Sequence, residues 1–472
     1  MESLMRMQTI DKEGIERIVE AAYTTLEKTG VDIHNERARE YYAKAGCQID
    51  GKRVRISREL VKKCIETAPS VFNVYDRNGN LAMEVGRDNR YVGPGPTCPY
   101  FIDPRTGERR FSKKQDAADT AKVTDALPNM DYAMSLCIIS DTTEVLADLH
   151  EVHAMLQNTT KPLMSWSFNG ENLKEQIELC AAAVGGMDVL EEKPILMIYS
   201  EPTTPLSHTK EALDKVMIMA EHKLPCIYTP GMAIGAAAPV TIAGALVVGI
   251  ADSLTGLVLS QLVNPGAPIV CAAAGAPVDM KTMQYCYGSP EWIWIHAVSD
   301  EIFRYLDIPR FTAAGCTDSK VIDAQAGIES AIQVMMAWGT YGNLIHDAGF
   351  TDFGMTGNIE QTIICDEIYS MIKHMFAGYS LDDDHIGLDV IDRVGPQGCY
   401  IAEEHTAKYF RETWTPDLTD RYSREMWDGR NMQQRAHDRL VQILDNYQPE
   451  PMCEERLAAM QVIIDRAEAR VK

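Results

Sequence analysis

Strand-like and helix-like stretches alternate eight times between residues 90 and 376, and few architectures accept that rhythm. Short apolar or β-branched runs fall at 90–94, 131–138, 162–168, 194–200, 225–229, 268–274, 309–314 and 342–346. Stretches with apolar residues at helical spacing follow them, near 113–126, 142–158, 171–185, 207–222, 239–263, 289–306, 321–340 and 358–376. Eight strands, each followed by one helix, is the count that closes a (β/α)8 barrel, a TIM barrel of the α/β class. An open doubly wound sheet is the competing arrangement. Proline opens several strand runs (Pro162, Pro194, Pro225, Pro268, Pro309), as suits the loop entering a strand.

The flanks read differently. Residues 1–88 form a small N-terminal α/β cap. Asp11 begins an amphipathic helix that Gly30 stops, Asn35 begins a second, and 57–68 is a third. The runs 71–75 and 81–85, joined through Arg77-Asn78-Gly79-Asn80, signal a hairpin. The barrel spans 89–376. Residues 377–472 read as charged, helical C-terminal additions, amphipathic at 437–444 and 453–467, fit to cover the barrel or to build a homo-oligomer.

A formal charge of −23 argues against nucleic acid and against an anionic membrane as partners. The apolar run 233–262 is broken by Pro239, Asp252 and glycines, which suits a buried helix better than a membrane span. The polar start has no signal-peptide core. Twelve scattered cysteines without a CxxC exclude a zinc ribbon or disulfide scaffold and fit a reducing cytoplasm. His150-Glu151-Val152-His153 is one residue short of zincin spacing and reads as a solvated helix surface.

In parallel α/β folds, chemistry gathers at the carboxyl ends of strands. The first strand leads into a loop of small residues containing Gly95, Thr97 and Tyr100; the third ends with Trp166 and Phe168, the fourth with Tyr199-Ser200-Glu201. The seventh ends at Cys316 and the eighth at His346-Asp347, with Phe353 in the loop behind. Aromatic rings recur there beside a few carboxylates, a composition that stabilises quaternary ammonium groups through cation–π contact. Each ring also has a purely structural reading, as filler for the top layer of the barrel.

The segment Ala314-Gly315-Cys316-Thr317-Asp318-Ser319-Lys320, followed by Asp323-x-Gln325-Ala326-Gly327-x-Glu329, resembles the trimethylamine:corrinoid methyltransferase superfamily. Gln261-Leu262-x-x-Pro265-Gly266-Ala267 and Gly288-Ser289-Pro290-Glu291 match as well, and the likeness runs over most of the chain. Archaeal trimethylamine enzymes of that group carry pyrrolysine directly after the Ala-Gly, where this chain has Cys316. The resemblance implies a non-pyrrolysine member acting on a betaine-like quaternary amine: glycine betaine, proline betaine, carnitine or γ-butyrobetaine. It implies methyl transfer to the Co(I) corrinoid of a separate protein, with no tightly bound cofactor in this chain. Asp383-Asp384-His385 has its glycine one place early for a cobalamin-binding motif, so no corrinoid domain is expected here. His346, or backbone N–H groups near 93–97, are the expected donors to a betaine carboxylate, and Phe353 the first choice for the cation. Cys316 as a methyl relay is disfavoured, because a thioether is a poor methyl donor to cobalt. Two rivals stand beside this reading: a barrel hydrolase or lyase using His346 and Asp347, and a non-catalytic quaternary-amine binding protein.

Overall fold

The computed structural model describes residues 5–472. Strands Leu163–Ser165, Leu196–Ser200, Cys226–Tyr228 and Ile269–Cys271 pair in parallel in that order. Phe311–Ala313, Leu344–Ala348 and Tyr91–Pro94 form a second parallel sheet. A parallel bridge from Cys271 to Arg310 joins the two. The remaining gap is spanned by residues 131–136. Asp131 N donates to Val92 O at 2.6 Å and Leu136 N to Gly95 O at 2.8 Å on one side; Ala133 bridges Leu163 on the other. Eight passages of the chain thus stand side by side in the ring.

The second passage corrects the sequence reading, which placed a regular strand at 131–138. Leu136 turns to a positive φ of 60°, and Ser135 Oγ donates to Cys137 O at 2.9 Å. The backbone leaves the extended conformation there, and a single bridge replaces a ladder.

Helices Lys114–Ala126, Ala147–Asn158, Gly170–Val184, Lys210–Glu221, Ile242–Val263, Pro290–Tyr305, Ala324–Gly339 and Ile359–Ala377 surround the ring. Asn169, Thr209, Thr241, Ser289, Asp323 and Asn358 each accept a backbone N–H of the first turn. These caps fix where each loop hands over to its helix. Ile242–Val263 is long and apolar enough to cross a membrane, yet 72% of its apolar window is buried within the protein, so it is a core helix.

The first helix, Lys12–Thr24, is capped by Asp11 Oδ1 accepting from Gly14 N, and passes through a π turn to Gly30. Strand Val31–Ile33 then pairs in parallel with Ser207–His208, in the loop after the fourth barrel strand. Ile15, Tyr23, Leu26 and Tyr42 share one apolar cluster with Leu213, Leu254 and Ile295 of the barrel helices. The hairpin Val71–Tyr75/Leu81–Gly86 goes further in. Its Phe72, Val74, Met83 and Val85 cluster with Met164, Met197, Ile227, Val270, Phe311 and Leu344 inside the ring. Tyr75 N donates to Pro194 O and Arg77 N to Thr160 O, both in loops entering strands, so the hairpin closes the floor of the barrel.

Met432–Asn446 lies on the helices Ile359–Ala377 and Lys114–Ala126, and Glu454–Val471 lies on Gly170–Val184 and Ala147–Asn158. This corrects the reading of 150–153 as solvated. His150 Nε2 meets Glu468 Oε1 at 2.8 Å, and Glu151 has no exposed surface. Contacts hundreds of residues away decide the burial of that face, so local sequence does not reveal it. Among the described residues no group of three or more His, Cys, Asp or Glu is placed to hold a metal ion, and all twelve cysteines are free.

Candidate active site

A cavity of about 390 Å³ opens at the carboxyl ends of the strands, lined by residues from the loops after most of them. On one side stand Trp166, Ser167, Tyr199, Glu201 and Lys215. Trp166 Nε1 donates to Glu151 Oε2 at 2.9 Å. Burial pushes the Glu151 carboxyl up to about 8, so it is mostly neutral at pH 7. Asp148 gathers Ser167 Oγ at 2.8 Å, Phe168 N at 3.0 Å and Gln176 Nε2 at 3.1 Å, which fixes the turn carrying the indole. Tyr199 OH donates to Glu201 Oε1. The Glu201 side chain faces the cavity, but surrounding protein desolvates it and pushes its carboxyl up to about 7; Lys215 opposes that shift and Asp347 adds to it.

Across the ring, the Phe311 and His346 rings stack at 4.0 Å and 12°. His346 Nδ1 lies 2.6 Å from Asp347 Oδ1, in an orientation that leaves both atoms without a hydrogen bond. In this geometry the two side chains do not form the hydrogen-bonded pair that the hydrolase or lyase alternative invokes. Asp347 sits at φ +78°, a conformation that costs a non-glycine residue about 1–3 kcal/mol and recurs at functional sites. Gly95 makes room for it: a Cβ there would stand 2.3 Å from the Phe350 ring and 2.7 Å from Asp347 Oδ1.

The third wall is aromatic. Tyr285 and Tyr287 have ring centroids 6.4 Å apart, Tyr287 and Trp292 6.0 Å, and Trp292 and His296 4.1 Å. His296 Nδ1–H donates to Trp292 O at 2.8 Å; burial lowers its pKa to about 4, so the ring is neutral with Nε2 unprotonated.

Tyr287 is set by the loop that carries the family-like motif. Asp318 accepts from Tyr287 N at 2.9 Å and Gly288 N at 3.0 Å. Glu329 in turn accepts from Thr317 Oγ1 at 2.5 Å and Asp318 N at 2.9 Å. Gln333 Oε1 accepts from Gly315 N and Cys316 N, both at 3.1 Å.

That bracing corrects the placement of Cys316. Its sulfur points to Gln333 Oε1 at 3.4 Å, it has no exposed surface, and burial holds its thiol well above the usual range. It does not line the cavity. Three rings expected at the substrate are also elsewhere. Tyr100 stacks on Phe111 at 4.9 Å beneath Arg109, and Phe168 sets its edge on Trp166 at 4.7 Å and faces outward. Phe353 lies under the Lys320 ammonium, 3.6 Å from its centroid. Their rings satisfy neighbouring side chains, a choice that strand-end position alone does not reveal. Thr97, Trp166, Glu201 and His346 do line the cavity, and Gly95 borders it.

Sequence reasoning noted Tyr199 at a strand end without selecting it, and passed over Lys215, Tyr285, Tyr287, Trp292 and His296. One signal was available: His296 lies four residues after Trp292, on one helical face. A larger hollow of about 810 Å³ lies under the C-terminal extension, far from the strand ends. Two of its arginines are taken up by acids of the same hollow, Arg430 by Asp428 and Asp438 and Arg435 by Asp420 and Asp428.

A parallel barrel with an aromatic and carboxylate-lined cavity above its strands defines the class of (β/α)8 enzymes, whose sites lie at that end of the ring. The chain belongs to the trimethylamine methyltransferase (MTTB) family, whose model matches residues 1–472. It is 32% identical to the glycine betaine methyltransferase of Desulfitobacterium hafniense (strain Y51) over 466 residues, 98% of this chain and 97% of that one. It is 32% identical to a trimethylamine methyltransferase of Desulfitobacterium hafniense (strain DSM 10664 / DCB-2), covering 94% and 90%, and 28% identical to the trimethylamine methyltransferase of Methanosarcina barkeri (strain Fusaro / DSM 804), covering 94% and 93%. The crystal structure of the Methanosarcina barkeri monomethylamine methyltransferase superposes with a TM-score of 0.53 at 11% identity, covering 98% of this chain and 88% of that one, a likeness of fold.

Proposed function

We propose that this enzyme moves one methyl group from a betaine-like quaternary amine to the Co(I) corrinoid of a separate protein and releases the tertiary amine. The N–CH3 bond breaks with its electron pair going to nitrogen, and the acceptor supplies the pair for the new bond to carbon. The leaving amine departs neutral, so no acid need protonate it. What remains for this chain is to desolvate the cation and aim one methyl group at the mouth, catalysis by orientation.

One observation carries the reading: the cavity joins Trp166, Tyr199, Tyr285, Tyr287 and Trp292 with the carboxyl groups of Glu201 and Asp347. Each ring face toward an ammonium contributes about 0.5–2 kcal/mol, the more so where water is excluded. The thiol of Cys316, braced against Gln333, needs no part in the transfer. The loops after the strands also expose Phe168, Val240, Met280 and Met283, apolar surface of the kind a docking protein covers. Twelve unpaired cysteines support a reducing, cytoplasmic setting. Self-association fits the segment 378–431, where Leu388, Ile401, Tyr422 and Met426 are exposed; sedimentation of the purified protein tests it, and a monomer at all concentrations excludes it.

The decisive experiment mixes purified enzyme with glycine betaine and reduced cobalamin, or a reduced corrinoid protein, and follows cobalt absorbance and dimethylglycine together. Both should change in equal amounts. Methylation from trimethylamine at a comparable rate, or loss of betaine without cobalt methylation, overturns the proposal.

A further inference from the structure

Resting on that reading, we infer that Lys215 receives the carboxylate of the substrate and makes the enzyme selective for zwitterions over cations with the same trimethylammonium head. Lys215 is the one lysine or arginine among the residues lining the cavity. It stands in the helix Lys210–Glu221 with apolar neighbours Leu213, Val216 and Met217 buried on either side. Its Nζ donates to Ser167 O at 3.0 Å, and among the described residues no carboxylate comes within ion-pair distance of it. An ammonium bearing three N–H donors and one protein acceptor, in a wall where burial lowers its pKa, lacks an anion.

A cavity built for a simple tetraalkylammonium gains nothing from a cation in its wall; two positive charges in a desolvated space repel. Lys215 Nζ, beside the end of the third strand, and Asp347, at the end of the eighth, lie across the ring from each other. A zwitterion, unlike a simple cation, offers an opposite charge to each. The expectation that His346 takes the carboxylate meets an obstacle in the same geometry. Asp347 Oδ1, 2.6 Å from His346 Nδ1, makes that wall hostile to a second carboxylate. Glu201, close enough to feel Lys215, forms no ion pair with it and instead accepts from Tyr199 OH, while desolvation pushes its carboxyl up. The ligand thus lies with its ammonium toward Asp347 and the tyrosines and its carboxylate toward Lys215.

The test is titration calorimetry without any methyl acceptor, comparing glycine betaine with choline on wild type, Lys215→Met and Lys215→Arg. Wild type should prefer betaine. Lys215→Met should weaken betaine about ten- to a hundredfold, the loss of one charge-assisted hydrogen bond, and leave choline within about twofold or tighten it; Lys215→Arg should keep the preference. Equal losses for both ligands, no loss for betaine, or wild type binding neither would each overturn the inference, with thermal melts confirming that the variants fold. Failure of the methyl-transfer reading is separable. Betaine binding that depends on Lys215 without cobalt methylation sinks the reaction and leaves the subsite standing. Methylation indifferent to Lys215→Met does the reverse.

Discussion

Trp166 reaches the cavity on the strength of one hydrogen bond to a buried acid: its Nε1 donates to Glu151 Oε2 at 2.9 Å, while Glu151 Oε1 accepts from Ile139 N at 3.1 Å. The two residues are fifteen positions apart in sequence, and the acid lies wholly inside. Replacing Glu151 by Ala strands both donors, each costing about 1–3 kcal/mol. Replacing it by Gln keeps an acceptor for one donor and removes the ionisation. Glu151→Ala should therefore melt well below wild type, and Glu151→Gln close to it. Equal melting of the two variants would show that the hydrogen bonds are not what matters.

The same carboxyl gives a pH dependence with a definite sign. Its folded pKa of about 8 is raised above the ordinary carboxyl value by burial. The folded state therefore holds the proton more tightly than the unfolded chain. That contribution is complete below the ordinary carboxyl range and is lost as pH rises through about 8. Glutamine has no such proton to lose. The melting temperature of Glu151→Gln minus that of wild type should grow more positive between pH 6 and pH 9, roughly across the folded titration. A difference flat with pH would mean that Glu151 is ionised in the folded protein.

Among the aromatic residues, Trp166→Leu should weaken binding of a quaternary ammonium ligand by about two- to thirtyfold, the range of one cation–π contact. Phe353→Ala should leave it nearly unchanged, because that ring already serves Lys320. Fluorescence or calorimetric titration of both variants decides the ranking, and the reverse order would place the cation in the last loop.

Alkylation should spare Cys316. Cys399 and Cys453 are exposed, whereas Cys316 is buried with its thiol pushed well above the usual range. Brief treatment with N-ethylmaleimide, followed by peptide mass spectrometry, should find label on the first two and not on Cys316, with methyl transfer preserved. Cys316→Ser should likewise retain most activity. An inactive but folded Cys316→Ser would require a sulfur role.

Gly95→Ala places a methyl group 2.3 Å from the Phe350 ring and 2.7 Å from Asp347 Oδ1. Either neighbour escapes only by moving into the cavity or the core. Turnover should fall by at least about tenfold with ligand binding impaired, on the scale of overpacking costs of about 1–3 kcal/mol. Wild-type kinetics in this variant would show that Asp347 is free to move.

Much of this was legible in the sequence, for a physical reason: hydrophobic periodicity is local. The helix expected at 171–185 is Gly170–Val184, and the one expected at 358–376 is Ile359–Ala377. Strand ends follow from that count, which is how Thr97, Trp166, Glu201 and His346 come to be named. What stayed hidden depends on contacts that no window contains. Lys215 sits on a helix whose polar positions look solvated until the cavity is seen beside it. Glu151 looks like half of a surface motif until Glu454–Val471 folds over its helix. Tyr287 follows no strand directly and reaches the cavity only because Asp318, thirty-one residues later, holds its N–H.

The hairpin at 71–86 means that this barrel has no floor of its own. Because synthesis proceeds from the amino end, the ribosome delivers Phe72, Val74, Met83 and Val85 before any strand of the ring exists, and their set of ring partners, from Met164 onward, is not complete until Leu344 has emerged. A hairpin made before the ring is thus fully packed only by the last strand of the ring. A gene fragment starting at residue 89 would encode every wall of the vessel, yet water would reach Met164, Met197 and Val270 from below; what looks like a detachable preface is the stopper.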